Sequence, residues 1–470
     1  MLRKKRLLLI LPDSQGVRNF LHSNFLEMAL QEFDVFIMHS VPGVEKHIEP
    51  SIAKRLDFSF LPRYSEGYLE RFLRVSRGIA HIYLSSHENP NFSVRRIVRK
   101  GRWKERIHNE VARLAGSALS RFGKKGLMLA DFAHATAARA NESVKDAVRT
   151  LRHLNPDFVL CTHQRSVESN PIIWAARRLS VPSASVIFSW DNVPKTRFAI
   201  YPDFIFTWSD FMKKQVEELY PSYPLAKIDV VGTPQFEFHS RIGEFSKEEF
   251  CRSHGLDASR PIICFTGGDR LTSPNDDKYL LDLIEITESF PKESRPQIIV
   301  RPSPADSSDR FQGIVKRHEH TRLIRPKWIN SPDGNWATAI PLADDWSLFL
   351  SIICASDFVV SLGSTTGLDF AIHDKPALYL AYDTEGAVSE NIWTASEIYK
   401  LPHFKLVKEI GAVHWILSKE DLKQVMVDVI EHPFTLSQQR RKWVAALIAT
   451  PLEEANPRLV AALLRRMDRG

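Results

Sequence analysis

Residues 356–383, SDFVVSLGSTTGLDFAIHDKPALYLAYD, hold a complete strand–turn–helix–strand pattern. Residues 358–362 form a short apolar, β-branched run that is typical of a buried parallel strand. The small-residue turn 363–367 leads into a helical pattern over 368–372, and a second apolar run follows at 377–381. A strand, a turn, a helix and a strand in this order make up half of a nucleotide-binding sheet.

The turn itself carries groups that suit a phosphate. It would leave backbone N–H groups unpaired at the start of a helix, beside the hydroxyls of Ser364, Thr365 and Thr366. Asp369 lies one helical turn further on, where a carboxylate can accept hydrogen bonds from a ribose. The alternative interpretation is a Ser/Thr helix cap with no ligand, and the turn taken alone does not separate the two.

SLGSTTGLD at 361–369 resembles the donor-binding signature of GT-B fold glycosyltransferases. This resemblance implies that Gly363 and Thr366 hold the donor diphosphate and that Asp369 holds the ribose. Ser361 stands where many of these enzymes have a histidine. SWDNVPKTRFAIYPDFIFTWSDFMKKQV at 189–216 and VVGTPQFEF at 230–238 are similar to transferases of bacterial capsule and O-antigen assembly, in which the GTPQF-like element leads from the first domain into the second.

The length of 470 residues predicts two domains, and 44% hydrophobic with 25% charged residues is typical of a globular protein. The fold class that we predict is α/β of GT-B type, with two Rossmann-like, doubly wound parallel-sheet domains facing a cleft. The predicted boundaries are 1–240 for the acceptor domain, 241–257 for a linker, 258–435 for the donor-nucleotide domain, and 436–470 for closing helices that cross back to the first domain.

The sequence predicts a cytoplasmic protein. The four cysteines are scattered without CxxC spacing, which indicates neither disulfides nor a zinc site. The apolar run at 7–11 is too short for a signal peptide, and no run approaches the roughly 18 apolar residues of a membrane span.

In the first domain, polar side chains follow several predicted strands. Asp13, His163 and Asp191 each come after an apolar run, and the carboxyl edge of a parallel sheet is where ligands bind. If the enzyme inverts the sugar, we predict that its catalytic base is one of these three, with His163 the more natural base near neutral pH and Asp13 the better placed. A retaining enzyme need not use Asp13 or His163 as a base, and the sequence leaves both alternatives open. The absence of a GxGxxG motif counts against a dinucleotide cofactor.

In the second domain, three further segments are candidate donor contacts. Gly267 and Gly268 would let the backbone approach a phosphate, with Arg270 adding charge, although a plain turn is the alternative. Arg301 can pair either with the donor phosphate or with a structural carboxylate. Asp383 follows a predicted strand and can contact the hydroxyls of the donor sugar.

Residues 54–152 form a predicted helical insertion with 21 Lys and Arg against 9 Asp and Glu. Within 93–106, Val94, Ile97 and Val98 share one face of a basic amphipathic helix. Such a helix suits an anionic membrane surface, which would make the protein peripheral on the inner face of the cell membrane. An equally good interpretation packs this apolar face on the domain, and nucleic acid is the least favoured partner.

These patterns, with the resemblance, predict a glycosyltransferase of surface-polysaccharide synthesis that moves a sugar from a nucleotide-sugar donor to a glycan or lipid-linked glycan. The chain has no DxD motif, so we expect transfer without a metal and without a further cofactor. Two alternatives stay open. One is a nucleotide-sugar 2-epimerase of the same fold, and the other is a non-catalytic protein that binds nucleotide sugars.

Overall fold

The chain divides into two compact units, Met1–Glu237 with Ala446–Gly470, and Phe238–Ala445. This computed structural model describes residues 3–85, 87–241, 243–270, 272–385 and 394–468. The second unit begins earlier than the predicted linker ends, because the buried ring of Phe238 packs on Trp346 at 3.8 Å between centroids. Residues 241–257 therefore belong to the second unit and include a helix, Lys247–His254.

The first unit contains one parallel sheet, whose strands in spatial order are β3-β2-β1-β4-β5-β6-β7. Leu7 of the central strand β1 pairs with Val35 on one side and with Phe158 on the other. Both faces of this strand are buried, and its sequence is accordingly a continuous leucine-rich run. The strands are β1 (Lys5–Leu11), β2 (Phe33–His39), β3 (Asp57–Phe60), β4 (Phe158–Cys161), β5 (Ser183–Val186), β6 (Phe204–Thr207) and β7 (Ile228–Val230).

Over its described residues, the larger sheet of the second unit has six strands in the spatial order β10-β9-β8-β13-β14-β15, which matches the order of the first six strands of the other sheet. Strands β11 and β12 form a separate antiparallel pair. Every pairing in the larger sheet is parallel. The strands are β8 (Ile262–Gly267), β9 (Gln297–Pro302), β10 (Thr321–Leu323), β11 (Trp328–Ile329), β12 (Ile340–Pro341), β13 (Phe358–Ser361), β14 (Ala377–Leu380) and β15 (His414–Ile416).

Helices connect the strands of both units. Those of the first unit are α1 (Ser14–Gly16), α2 (Phe25–Glu32), α3 (Pro50–Ala53), α4 (Tyr68–Leu84), α5 (Pro90–Val98), α6 (Trp103–Ser120), α7 (Gly123–Arg139), α8 (Ser143–Leu154), α9 (Asn170–Arg178), α10 (Asn192–Lys195) and α11 (Asp210–Leu219). Those that follow are α12 (Lys247–His254), α13 (Asp276–Glu288), α14 (Gln312–Val315), α15 (Asp345–Ala355), α16 (Thr366–Ile372), α17 (Ala395–Ile398), α18 (Phe404–Ile410), α19 (Lys419–Glu431), α20 (Ser437–Leu447) and α21 (Ala455–Met467).

The end of the chain belongs to the first unit. The amide of Ala449 donates to the carbonyl of Trp208, and Asn456 of α21 donates to Glu237 at 3.0 Å. Glu237 also accepts from Asn24 at 2.6 Å. The end of the chain is thereby bonded to Trp208 and, through Glu237, to Asn24.

The helical insertion differs from the prediction in two respects. Residues 57–60 form the edge strand β3, so the helices begin only at Tyr68. Residues 93–106 lie on two helices, α5 and α6, rather than on one. The predicted membrane-facing residues Val94, Ile97 and Val98 pack against Ile79 and Ile82 of α4 instead. This apolar face is therefore part of the protein interior.

In each larger sheet the first strand lies between the second and the fourth, so the strand order reverses beside it. Connections leave opposite faces of the sheet at such a point and open a crevice at the carboxyl ends of the two central strands, where doubly wound proteins bind ligands. The crevice lies between β1 and β4 in the first unit and between β8 and β13 in the second. Among the described residues, no helix is both long enough and apolar enough to cross a bilayer.

Candidate active site

Asp13 and His163 meet at the reversal point of the first sheet. Asp13 follows β1 and His163 follows β4, and Nδ1 of His163 lies 2.6 Å from Oδ2 of Asp13. The other carboxylate oxygen accepts the backbone N–H of Gly16 at 2.8 Å, which holds Asp13 as the cap of α1. Two residues that the sequence offered as separate candidates therefore form one pair.

The orientation of the pair defines its chemistry. A carboxylate accepts hydrogen bonds, so when the imidazole of His163 is neutral the contact with Asp13 favours the tautomer with the proton on Nδ1 and the lone pair on Nε2. The imidazole stacks on Phe188, with 4.0 Å between ring centroids and 16° between planes. The side chain of His163 is 20% exposed, against 8% for Asp13. A buried carboxylate thus orients a partly accessible imidazole, as in a general base.

Gly16 is a residue of this site that the sequence analysis did not single out. A Cβ at position 16 would lie 2.6 Å from Oγ1 of Thr162, the residue before His163. The hydroxyl of Thr162 donates to the carbonyl of Ile10 at 3.1 Å and cannot move freely. The close approach of the two loops requires glycine, and the PDSQG sequence after an apolar strand was the available signal.

Asp191, the third predicted candidate, is engaged elsewhere. Its carboxylate forms an ion pair with Lys195 at 2.6 Å and accepts from Asn192 at 2.7 Å. Asn192 is linked in turn to the buried Gln164, next to His163. Asp191 belongs to a network beside the Asp13–His163 pair.

In the second unit, the turn after β13 is built from hydroxyls and a left-handed glycine. Gly363 has φ +68°, and the Ser364 hydroxyl lies 3.0 Å from that of Thr366 and accepts the Thr366 N–H at 3.2 Å. Thr365 is the residue that precedes α16. The hydroxyl of Tyr379, in the neighbouring strand β14, donates to the Ser364 carbonyl at 2.9 Å and so holds the turn against the sheet.

Replacing Gly363 by alanine should destabilise the second unit. The new Cβ would lie 2.6 Å from Cζ of Phe404, in a backbone conformation that already disfavours alanine. Gly411 is a matched control, since its φ is +70° and nothing lies within 4 Å of a Cβ there. We expect Gly363→Ala to cost about 1–3 kcal/mol more than Gly411→Ala, measured by denaturant unfolding. Equal losses would contradict the close contact with Phe404.

Asp369 heads a buried chain of titratable groups that the sequence analysis did not predict. Its Oδ1 accepts from Nε2 of His239 at 2.8 Å, and Nδ1 of His239 lies 2.8 Å from Nε2 of His373. Burial, followed by the proximity of His239, lowers the pKa of His373 to about 3, so His373 is neutral near pH 7. His239 orients the carboxylate that was predicted to hold the ribose.

The glycine pair after β8 is tied to a buried carboxylate. The N–H of Gly268 donates to Asp276, and the carbonyl of Gly268 accepts from Arg310 at 2.6 Å. This backbone is therefore hydrogen-bonded within the loop and does not present the Gly268 N–H as an open donor. Gly267 is buried beneath Phe311, and Arg270 extends into solvent.

Asp276 should make the stability of the second unit depend on pH. Burial raises its pKa from 3.8 to about 7, which means that the folded state holds a proton that the unfolded state has lost. The free energy of unfolding should therefore fall as pH rises from about 4 to 7, by up to about 1.4 kcal/mol per pH unit. Asp276→Asn should flatten this slope in denaturant unfolding at several pH values. An unchanged slope would show that Asp276 titrates normally.

Arg301 is held by a structural carboxylate, which is one of the two alternatives that its sequence context left open. Its guanidinium donates to Asp345 at 2.9 Å and lies over the ring of Phe349. Asp345 also accepts from Trp328 at 3.1 Å and from the N–H of Lys327 at 2.8 Å. This buried ion pair joins the end of β9 to α15.

Asp383 lies after β14 and is exposed. Its carboxylate accepts the N–H of Ala395 at 2.7 Å, at the start of α17. Residues 386–393, between these two, lie outside the described part of the chain.

No protein-family model matches the chain. Over 324 residues, 67% of this chain and 76% of the relative, it is 22% identical to "UDP-N-acetylglucosamine--N-acetylmuramyl-(pentapeptide) pyrophosphoryl-undecaprenol N-acetylglucosamine transferase" of Bacillus cytotoxicus.

Two solved structures illustrate the likeness in fold. UDP-GlcNAc 2-epimerase from Neisseria meningitidis, bound to UDP-GlcNAc, matches with a TM-score of 0.53 and 12% identity over 98% of this chain and all of that one. S. aureus MnaA in a co-structure with UDP matches with a TM-score of 0.55 and 12% identity over 99% and 97% of the two chains. These matches confirm the predicted GT-B fold of two parallel-sheet α/β domains and the resemblance to proteins of nucleotide-sugar chemistry.

Proposed function

We propose that the protein is a glycosyltransferase of bacterial cell-envelope synthesis. It moves a sugar from a nucleotide-sugar donor to a glycan or a lipid-linked glycan. The observation that carries this proposal is the Asp13–His163 pair at the reversal point of the first sheet. The similarity to a transferase that is named for a pyrophosphoryl-undecaprenol acceptor supports both the reaction and the lipid-linked acceptor.

The second unit binds the donor nucleotide in this proposal. The turn at Gly363, Ser364 and Thr366 offers hydroxyls to the diphosphate, and Asp369 offers its carboxylate to the ribose. Arg270, being exposed, adds positive charge for the leaving phosphate. The names of the sequence relative and of the two structural neighbours support uridine diphosphate as the carrier.

The first unit supplies the base. Nε2 of His163 takes the proton from an acceptor hydroxyl while the hydroxyl oxygen forms a bond to the anomeric carbon of the sugar. The bond from that carbon to the diphosphate oxygen breaks, and the nucleoside diphosphate leaves with the electron pair. Asp13 stabilises the imidazolium that results. This displacement inverts the configuration of the sugar.

We expect transfer to need neither a metal nor a further cofactor, because hydroxyls and a cationic side chain are available to the leaving diphosphate. Release of nucleoside diphosphate in the presence of acceptor should therefore be the same with and without a chelator. Activity that disappears in chelator and returns with magnesium or manganese would contradict this expectation.

A second candidate reaction, 2-epimerisation of the donor, is favoured by the chain Asp369–His239–His373. An epimerase must remove and return a proton at C2, which needs titratable groups near the sugar. Incubation in heavy water without acceptor distinguishes the reactions. Deuterium at C2 of the recovered nucleotide sugar would identify an epimerase, whereas a transferase leaves it unlabelled.

The proposed acceptor places the protein at the cytoplasmic side of the cell membrane. A lipid-linked glycan stays in the bilayer, so a transferase that uses it as acceptor works at the membrane surface. The localisation is therefore part of the proposal.

A further inference from the structure

Helices α6 and α7 expose a large amount of apolar surface. Eight large apolar side chains on and between them are 50% to 72% exposed. We call this set the apolar stripe; its members are Trp103, Ile107, Val111, Leu114, Phe122, Met128, Leu129 and Phe132. The four on α6 recur every three or four residues and so share one face of the helix. Exposed apolar side chains in such a contiguous arrangement mark an interaction surface.

The packing of both helices keeps the stripe outside. The opposite face of α6 is buried at Asn109, Ala112 and Gly116. A Cβ at Gly116 would lie 2.5 Å from the carbonyl oxygen of Ser76 in α4, so the two backbones are in close contact there. Helix α7 buries Leu127 and other residues on the face away from its exposed side chains. Neither helix can rotate to cover the stripe without losing this packing.

Positive charge surrounds the stripe. Between residues 99 and 125 there are nine Lys and Arg and two Glu. Both glutamates are already paired, Glu105 with Arg71 at 3.3 Å and Glu110 with Arg113 at 2.6 Å. The excess charge therefore belongs to side chains that flank the apolar residues.

We propose that the apolar stripe and its basic flanks dock the protein on an anionic lipid surface. Helices that lie in a membrane interface combine a face of Trp, Phe and Leu with Lys and Arg at its edges, which is the composition found here. A second copy of this chain fits less well, because a symmetric contact would bring the same basic flanks together. Nucleic acid would engage the charge but not the aliphatic residues Ile107, Val111 and Leu114.

Docking does not depend on the proposed reaction, since vesicle binding is measured without substrate. The full-length protein should float with vesicles of phosphatidylcholine and phosphatidylglycerol at low salt, and much less with phosphatidylcholine alone. Ile107→Glu combined with Leu129→Glu should lower the partition coefficient about tenfold or more, because both side chains would insert charge into the interface. Leu417→Glu is the control, as Leu417 is 69% exposed and lies in the second unit. Thermal unfolding should be unchanged in all three proteins.

A second variant tests the basic flanks. Neutralising Lys104, Arg106, Lys124 and Lys125 to glutamine should also weaken binding and reduce its dependence on salt. The proposal is overturned if wild type fails to float on anionic vesicles at low salt, or if the stripe variant floats as well as wild type. It is also overturned if light scattering shows that the wild type is a dimer and the stripe variant a monomer, since a second copy would then cover the stripe.

Discussion

Replacing His163 by alanine should lower the rate constant of sugar transfer by about 10²–10⁴-fold, which is the usual contribution of a general base. The imidazole of His163 can act as a base because a carboxylate, Asp13, holds its other nitrogen at 2.6 Å. Affinity for the nucleotide sugar should not change, because the proposed nucleotide site lies in the second unit. Initial rates and equilibrium binding, measured on the same preparation, check both statements.

Two further variants make this test specific. His153→Ala, which changes an exposed histidine of α8, should leave the rate constant unaltered. Asp13→Asn should lower the rate constant with little effect on the Michaelis constant for the donor, because it removes the charge that stabilises the imidazolium. If His163→Ala keeps the wild-type rate, the base has been assigned to the wrong residue.

Combining Thr366→Val with Asp369→Asn should weaken nucleotide diphosphate binding by about 10–100-fold, since each change removes a hydrogen bond to a charged or buried group. Asparagine is chosen at Asp369 because its side-chain oxygen can still accept the hydrogen bond from His239, which alanine would leave unpaired. Isothermal titration with a panel of nucleoside diphosphates and their sugars measures the effect.

The control for this variant is Ser418→Ala. Ser418 caps α19 in the same unit by accepting the N–H of Asp421, with no predicted role in the donor site. Its loss should lower stability slightly and leave nucleotide affinity unchanged. Equal affinities for wild type and the Thr366/Asp369 variant would refute the donor site.

The fold could be predicted from the sequence because its signals are local. Short apolar runs alternate with helical patterns in both halves, and buried parallel strands such as β1 and β13 read as uninterrupted apolar segments. The glycine in the turn at Gly363 indicates, from the sequence alone, a backbone conformation with positive φ. Each of these features can be recognised from residues that are adjacent in the sequence.

The candidate site could be predicted only in part, because its geometry comes from contacts distant in sequence. Asp13 and His163 are 150 residues apart, and only the adjacency of β1 and β4 brings them together. The sequence around Arg301 is compatible with a phosphate ligand and with a structural cation, and only the position of Asp345 beside it distinguishes the two. His239 gives no local sign of its contact with Asp369, 130 residues later.

The helical insertion shows the same limit. Its basic composition is evident from the sequence. Which apolar helix face stays exposed depends on which faces pack against α4 in the fold. Residues Val94, Ile97 and Val98 pack against α4, whereas Trp103 and Ile107 of the next helix remain exposed. Helical periodicity identifies apolar faces and does not say which of them finds a partner.

The central claim is that this protein transfers sugar from a nucleotide donor, and one product analysis tests it most directly. The purified protein is incubated with nucleotide sugars, with and without lipid-linked glycans extracted from bacterial membranes, and all products are weighed by mass spectrometry. The proposal predicts that nucleoside diphosphate appears together with an acceptor heavier by one sugar residue, only when acceptor is present and only with intact His163. Donor converted to an isomer of unchanged mass without acceptor, or donor that is never consumed, would contradict it.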